Sequence, residues 1–440
     1  MKEFIKNLKF TWKYAREDKK YLFIIIFVYI VSIICSIITP IYSAKIVIGL
    51  TSNDYVQMLI IAGVIFLLDM LQNFSHYVAR CCIFKMYNNI LSRIGLEVGS
   101  NILKIENESL DKNSNGVFIQ RMTSDTAKMA EMFDNLINTI SDVIKYVGIL
   151  VAIFIVNKLV FIYVILFAII LYLIEELRTK RRKENDKITR VAKEKVTGFV
   201  GELVRGARDI KMLNSEDDFM NELSFRVKEA NEKQLNMNKN NMKYRIGMWC
   251  TSSIGDFVLI LLLIVLLEKK IILPSIALVL YNYASRVSSS AYFIGSFLEE
   301  VKDFNLSCER VFAIINGEEF KKEKFGSIHL DKVNGDFEFK NVSFSYTDKK
   351  VLNKINFKIN ANETVAFVGK SGAGKTTIFN LLCKMYDVNS GSILIDGIDI
   401  KKLDKDTIRG NITIISQNPY IFNMSIRDNL RLVKKNLSNK

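Results

Sequence analysis

Six apolar runs decide most of what this 440-residue chain can fold into. They lie near Tyr21–Thr39, Val56–Tyr77, Leu136–Val156, Leu159–Leu177, Ile254–Leu267 and Ile271–Leu298. A helix needs roughly twenty predominantly apolar residues to cross a bilayer, and each run is read as such a span. The fifth is interrupted by Asp256 and the sixth by Arg286. The first is too long and begins too late to be a cleaved signal peptide, and no small-residue cleavage site follows it. A chain that is 50% hydrophobic, with its apolar residues concentrated this way, is not an ordinary soluble enzyme.

Charge placement orients the runs. Lys2, Lys6, Lys9, Lys13, Arg16, Lys19 and Lys20 precede the first, and the segment Arg178–Arg245 is dense in Lys and Arg. The connectors near 41–55, 157–158 and 268–270 are short and carry few cations. The excess of cations on the cytoplasmic side predicts a cytoplasmic N-terminus, two long intracellular segments and a cytoplasmic C-terminal region. That asymmetry accounts for the net charge of +15 without invoking nucleic acid as a partner. Asp69, Lys145, Asp256 and Arg286 lie within or beside the runs. Each reads either as a functional ionisable group or as an interhelical pair or snorkelling side chain. Cys35, Cys81, Cys82, Cys250, Cys308 and Cys383 show no metal-ligand spacing, and His76 and His329 are isolated. The cysteines read as small packing residues in reducing surroundings.

The intracellular segments keep helical apolar spacing over about fifty to seventy residues, too long for simple loops. Each is expected to be an antiparallel helical pair with a turn at its tip. After Leu298 the pattern changes: Glu299–Asn316 reads as a charged helix and Gly317–Lys332 as a polar linker. Strands are expected at Phe337–Phe339, Val342–Tyr346, Val351–Ile359, Ser392–Asp396 and Ile412–Ser416.

Among these strands sits the chain's strongest chemical motif, Gly369-Lys370-Ser371-Gly372-Ala373-Gly374-Lys375-Thr376-Thr377, a complete G-x-x-x-x-G-K-[ST] loop. Thr364–Val368 reads as a buried strand entering it and Lys375–Cys383 as the helix leaving it. In that order, backbone N–H groups of the loop and helix start can converge on phosphate oxygens. Lys375 would reach the β- and γ-phosphates, and the Thr376 hydroxyl would join the shell of Mg²⁺.

Six spans with long cytoplasmic extensions, a linker and a P-loop domain resemble the half-transporters of the ATP-binding cassette (ABC) exporter family over nearly the whole chain. Glu108–Asp111, Gly116 and Gln120–Asp125 look like that family's first intracellular loop, and Gly201–Lys211 like its second. The resemblance makes these tips coupling helices. It implies a six-helix all-α transmembrane domain with long cytoplasmic extensions, followed by an incomplete α/β P-loop nucleotide-binding domain. The expected divisions are a cytoplasmic helix at 1–20, the membrane domain at 21–316, a linker at 317–332 and a partial nucleotide-binding domain at 333–440. Tyr346 resembles the family's adenine-stacking aromatic; the other reading is that it simply alternates with Phe344 on a half-buried strand. Gln417 resembles the Q-loop glutamine, whose oxygen joins the Mg²⁺ shell. The implied ATP-binding set is Tyr346, Gly369, Ser371, Gly372, Ala373, Gly374, Lys375, Thr376, Thr377 and Gln417, with Thr376 and Gln417 on the metal.

The family's signature motif, Walker B carboxylates and switch histidine have no counterpart in these 440 residues. Asp396 ends an apolar strand as a Walker B aspartate does, but Gly397 follows it and the segment matches the family's antiparallel hairpin. No catalytic residue is therefore assigned, and hydrolysis by this chain alone is expected to be very slow. The resemblance implies a subunit of an ATP-driven exporter in the cytoplasmic membrane, a homodimer or a heterodimer with another half-transporter, among membrane lipid. Its transported substrate is unknown. The alternatives are a non-hydrolysing membrane subunit beside a complete partner, or an inactive truncated product.

Overall fold

Helices follow the apolar runs and extend beyond them in the computed structural model, which describes residues 2–52, 55–288, 291–415, 417 and 419–433. The first is α1 (Lys2–Ala15), then α2 (Lys19–Ser52) and α3 (Tyr55–Ile102). Two short helices, α4 (Asn107–Asp111) and α5 (Asn115–Gln120), precede α6 (Thr126–Val156). The chain continues through α7 (Lys158–Met212), α8 (Glu216–Glu268), α9 (Pro274–Ser288) and α10 (Ala291–Asn316). Beyond these come β1 (Phe337–Phe344), β2 (Leu352–Ile359), α11 (Lys375–Leu382), β3 (Ser390–Ile395), β4 (Ile398–Asp399), α12 (Lys405–Asn411) and α13 (Ile426–Val433). Five helical stretches among the described residues are long and apolar enough to cross a membrane: Lys2–Val47, Tyr55–Ile102, Asn115–Val156, Lys158–Lys180 and Glu216–Glu268. The sixth apolar run falls on α9 and α10, with residues 289–290 outside the described set.

The chain divides into two units, Met1–Leu96 with Arg121–Val311, and Glu97–Gln120 with Phe312–Lys440. In the first, polar side chains tie helices together where apolar packing alone gives no register. Asp18, in the break between α1 and α2, accepts from Asn89 (2.7 Å) and pairs with Arg93 on α3. Tyr29 of α2 donates to Asn138 of α6 at 2.8 Å, and Tyr283 of α9 donates to the Ile37 carbonyl at 2.6 Å. Two of the ionisable residues within the runs find modest partners: Lys145 meets Asp142 one turn back at 2.8 Å, and Arg286 donates to the Ser36 carbonyl at 3.0 Å. α7 and α8 run antiparallel. They pack tightly at Gly255, where Tyr163 donates to the carbonyl (2.6 Å) and an added Cβ would meet the Phe167 ring at 2.0 Å. The turn between them is Leu213–Ser215, with Asn214 at φ 53°. Gly201–Lys211, expected at the tip itself, instead forms the last turns of α7, because this Pro-free stretch keeps its helical hydrogen bonds to Met212.

The second unit is built on an antiparallel sheet in the order β2-β1-β3-β4. Phe337 pairs across to Ile359 on one side and Ile395 on the other. Phe339, Val342, Ile393, Ile395, Leu381 and Ile408 form its buried core, and the Phe339 and Phe357 rings stack at 4.4 Å. The Asp396–Gly397 turn that joins β3 to β4 has both residues at positive φ, the conformation of a two-residue hairpin. Asp396 accepts from the N–H groups of Asn334 (2.6 Å), Gly335 (3.0 Å) and Asp336 (2.9 Å), so its carboxylate fastens a loop.

Two expected strands do not form. Thr364–Val368 and Ile412–Ile415 carry no ladder hydrogen bonds, and Val368 and Ile415 are each 94% exposed. Both were expected as buried strands on their apolar composition; Ser416, the last residue of the second, lies outside the described residues. The physical reason is pairing: Phe367 and Ile412 still pack against the core, but no described strand pairs its backbone with either segment.

Candidate functional site

The phosphate loop is shaped by backbone conformations that only glycine adopts freely. Gly372 and Gly374 sit at φ +82° and +87°. At Gly374 a Cβ would also meet Leu352 at 2.8 Å, whereas nothing lies within 4 Å of one built on Gly372. Gly374 is the N-cap of α11, so the free N–H groups of the helix start face the concavity of the loop. Lys375 folds back across the loop, its Nζ donating to the carbonyls of Gly369 (2.8 Å) and Lys370 (3.0 Å). Gly369, Ser371, Gly372, Ala373 and Thr376 are exposed, while Thr377, within α11, is buried. The result is a concave row of donors with one mobile-length cation at its rim, suited to a polyphosphate anion.

Tyr346 is joined to this loop. Its hydroxyl lies 3.4 Å from Thr377 Oγ1 and accepts from Asn380 at 3.2 Å. Its ring is 38% exposed and stands edge-on to Phe344 (4.7 Å, 88°) and Tyr386 (5.0 Å, 90°). Edge-on support leaves a face open, as a stacking platform requires. Gln417 is exposed; no hydrogen bond between it and the loop is among those of the described residues, and its neighbours Ser416 and Asn418 lie outside them. The absence of a paired strand at Ile412–Ile415 leaves it without a rigid support.

The sequence-based candidates for Mg²⁺ are the Thr376 hydroxyl and the Gln417 amide, and no cluster of three or more His, Cys, Asp or Glu occurs among the described residues. This fits a metal held chiefly by nucleotide phosphates, as Mg²⁺ usually is, and does not fit a metal bound by the protein alone.

Beside Tyr346 lies a cavity of about 710 Å³, bordered by Glu106, Asp111, Lys112, Lys322 and Tyr386 and not by the phosphate loop. It marks where the α4 segment meets the sheet. Asn107 donates to the Met385 carbonyl at 3.1 Å, and the Tyr386 hydroxyl donates to Asp111. Burial, reinforced by that carboxylate, pushes the Tyr386 phenol well above its usual pKa. Strand-like bonds close the joint, Glu106 N–H to the Lys321 carbonyl (2.9 Å) and Glu323 N–H to the Lys104 carbonyl (2.8 Å). Arg409 of α12 grips Glu323 with two bonds at 3.0 and 2.6 Å. None of these partners was singled out as a pair in the sequence, since residues some 275 positions apart leave no local signal.

The first part of this arrangement, residues 22–291, matches the family model for the ABC transporter transmembrane region, and residues 352–439 match that for the ABC transporter itself. Among relatives, the ABC transporter ATP-binding protein YknV of Bacillus subtilis is 28% identical over 353 residues, which is 78% of this chain and 57% of the relative. The ATP-dependent lipid A-core flippases of Photorhabdus laumondii and Salmonella typhimurium are each 25% identical, over 88% and 87% of this chain. The chain spans 67% and 66% of those two proteins. Apolar helices and a phosphate loop on one polypeptide, each matched by its own model, place this multi-pass membrane chain in the ABC transporter family, as an exporter-type half-transporter.

Proposed function

We propose that the chain is the fused permease and ATP-binding subunit of an ABC exporter, working as one half of a dimer in the cytoplasmic membrane with both termini in the cytoplasm. The observation that carries this reading is the phosphate loop: Gly372 and Gly374 at positive φ open α11, with Lys375 Nζ at the loop's rim. Backbone N–H groups from Gly369 to Thr377 would hold the phosphates, and Lys375 would swing from the loop carbonyls to the β- and γ-phosphates. Tyr346 would stack on adenine, and Thr376 with Gln417 would complete the shell of a metal. Mg²⁺, when bound, supplies charge neutralisation at the phosphates. In this reading residues 21–316 form the membrane domain, 317–332 the linker and 333–440 the part of the cassette that grips nucleotide.

No Walker B-like carboxylate pair stands in these 440 residues, so in this reading they bind ATP by themselves without turning it over. Photolabelling with 8-azido-ATP tests the assignment of the base site. Label is expected on the peptide containing Tyr346, displaced by excess ATP and lost in Lys375→Ala. Label spread over the chain, or unchanged in Lys375→Ala, contradicts it.

A further inference from the structure

Pro40 lies inside α2, yet the helix continues through it to Ser52. Proline has no N–H, so the carbonyl four residues back, at Ser36, loses its regular intrahelical donor. Water repairs such a gap at a protein surface, but a hydrocarbon core offers none. Here the repair comes from α9. Arg286 donates through Nη1 to the Ser36 carbonyl at 3.0 Å. Tyr283, one turn earlier, donates to the next carbonyl, Ile37, at 2.6 Å. Ser36 and Tyr283 are buried, so both bonds are made away from solvent.

The same stretch of α2 is loaded twice more. Thr39 Oγ1 donates to the Cys35 carbonyl at 2.9 Å, and Ser43 Oγ to the Thr39 carbonyl at 3.0 Å. Hydroxyls that bond back to carbonyls one turn earlier weaken a helix slightly and bend it. The missing donor and both hydroxyls fall between Cys35 and Ser43, and a helix yields where its ladder is interrupted. Of the two cross-helix bonds, the one from Arg286 is the stronger in kind, because its donor is ionised.

We propose that α2 carries a hinge at Pro40 and that α9 is its latch, with Arg286 as the positioning residue that replaces the missing N–H. Tyr283 supports the neighbouring turn. This gives the cation of the sixth apolar run a task inside the helix bundle. The latch lies among the membrane helices and does not depend on the ATP-binding reading.

Hydrogen exchange on the full 440-residue chain in lipid nanodiscs tests it, read over residues 36–44. Arg286→Met removes every side-chain donor and is expected to speed exchange there about ten-fold. Pro40→Ala restores the backbone donor, so in its presence Arg286→Met should change exchange by less than about two-fold. Tyr283→Phe is the contrast. It should speed exchange about three-fold, and Pro40→Ala should not relieve it, because the Ile37 carbonyl keeps the Ile41 N–H as its regular donor. An arginine that merely packs would show no such selective relief. Equal effects of Arg286→Met with and without Pro40→Ala overturn the proposal, as does no effect at all. Relief of both variants alike would mark Pro40→Ala as a general stabiliser and also overturns it. If Arg286→Met fails to fold, folding restored by Pro40→Ala supports the latch, and folding not restored overturns it.

Discussion

Two parts of the same unit share one composition and differ in outcome. β1, β2 and β3 are short apolar strands, and so in sequence are Thr364–Val368 and Ile412–Ser416. The first three are paired, with Phe339 and Ile393 each 1% exposed. The other two stay unpaired where they are described, with Val368 and Ile415 each 94% exposed. Their histories along the chain explain it. β3 and β4 are joined by a two-residue turn and β1 and β2 by a short loop, so each finds an antiparallel partner nearby. The phosphate-loop segment and the segment before Gln417 flank helices, the pattern of parallel strands, which need partners brought by long crossovers. Apolar character selects residues for a sheet; a partner is what makes them a strand.

The sharpest way to break this comparison is to truncate one side chain from each region. Phe339→Ala is expected to destabilise the second unit by about 3–5 kcal/mol, through cavity formation in a well-packed core. Val368→Ala is expected to cost less than about 0.5 kcal/mol in this chain. Hydrogen exchange across β1 and β3 measures both, and equal effects would show that the phosphate-loop strand is packed after all. Next in size is Arg409→Ala, which leaves Glu323, 14% exposed at its side chain, without its two-bond partner. A loss of about 2 kcal/mol is expected, read as faster exchange at residues 321–323 and 104–106, where the linker meets the α4 segment. Undisturbed exchange there would mean that the strand-like bonds alone hold the joint.

Tyr346 offers a smaller and more specific test. If its open face stacks on a base, Tyr346→Ala weakens ATP binding by about 1–3 kcal/mol while Tyr346→Phe retains it. If Tyr346, just beyond the end of β1, serves only to pack against Phe344 and Tyr386, both variants bind alike. The smallest effect expected is electrostatic. Hydrogen bonds from Thr407 hold Asp404 at a pKa of about 2, and pairing with Asp404 raises His329. A lowered carboxylate contributes above its unfolded pKa and loses its effect as pH falls through about 2. A raised histidine contributes below its unfolded pKa and loses its effect as pH rises through the folded one. The pair, 2.8 Å apart, therefore supports the start of α12 in a window from mildly acidic pH to just above the normal histidine pKa. Nuclear magnetic resonance titration of His329 checks this; a histidine unaffected by Asp404→Asn would contradict it.

Legibility in the sequence followed the range of the interaction. Apolar runs carry their own helical signal, so α2, α3, α6, α7 and α8 could be read directly, and the Asp396–Gly397 turn announced its hairpin. The glycine-rich motif itself was legible as a phosphate loop, while the left-handed conformations of Gly372 and Gly374 are findings of the structure. The pairs Tyr386–Asp111 and Arg409–Glu323 were invisible, since each joins residues whose proximity depends on the whole fold. The tip of the second helical pair was placed a few residues early, at Gly201–Lys211 rather than Leu213–Ser215, because family resemblance and not a local turn signal located it. The unpaired strands failed for the complementary reason, that their apolar signal was real and their partners were not nearby.

The central proposal is that these 440 residues by themselves bind nucleotide through the phosphate loop without turning it over. Binding and turnover of Mg²⁺·ATP, measured side by side on the purified 440-residue chain in lipid nanodiscs, test it most directly. The account predicts weak saturable binding that disappears in Lys375→Ala, with turnover at background in both. Robust turnover abolished by Lys375→Ala would contradict it, and so would binding that Lys375→Ala leaves unchanged.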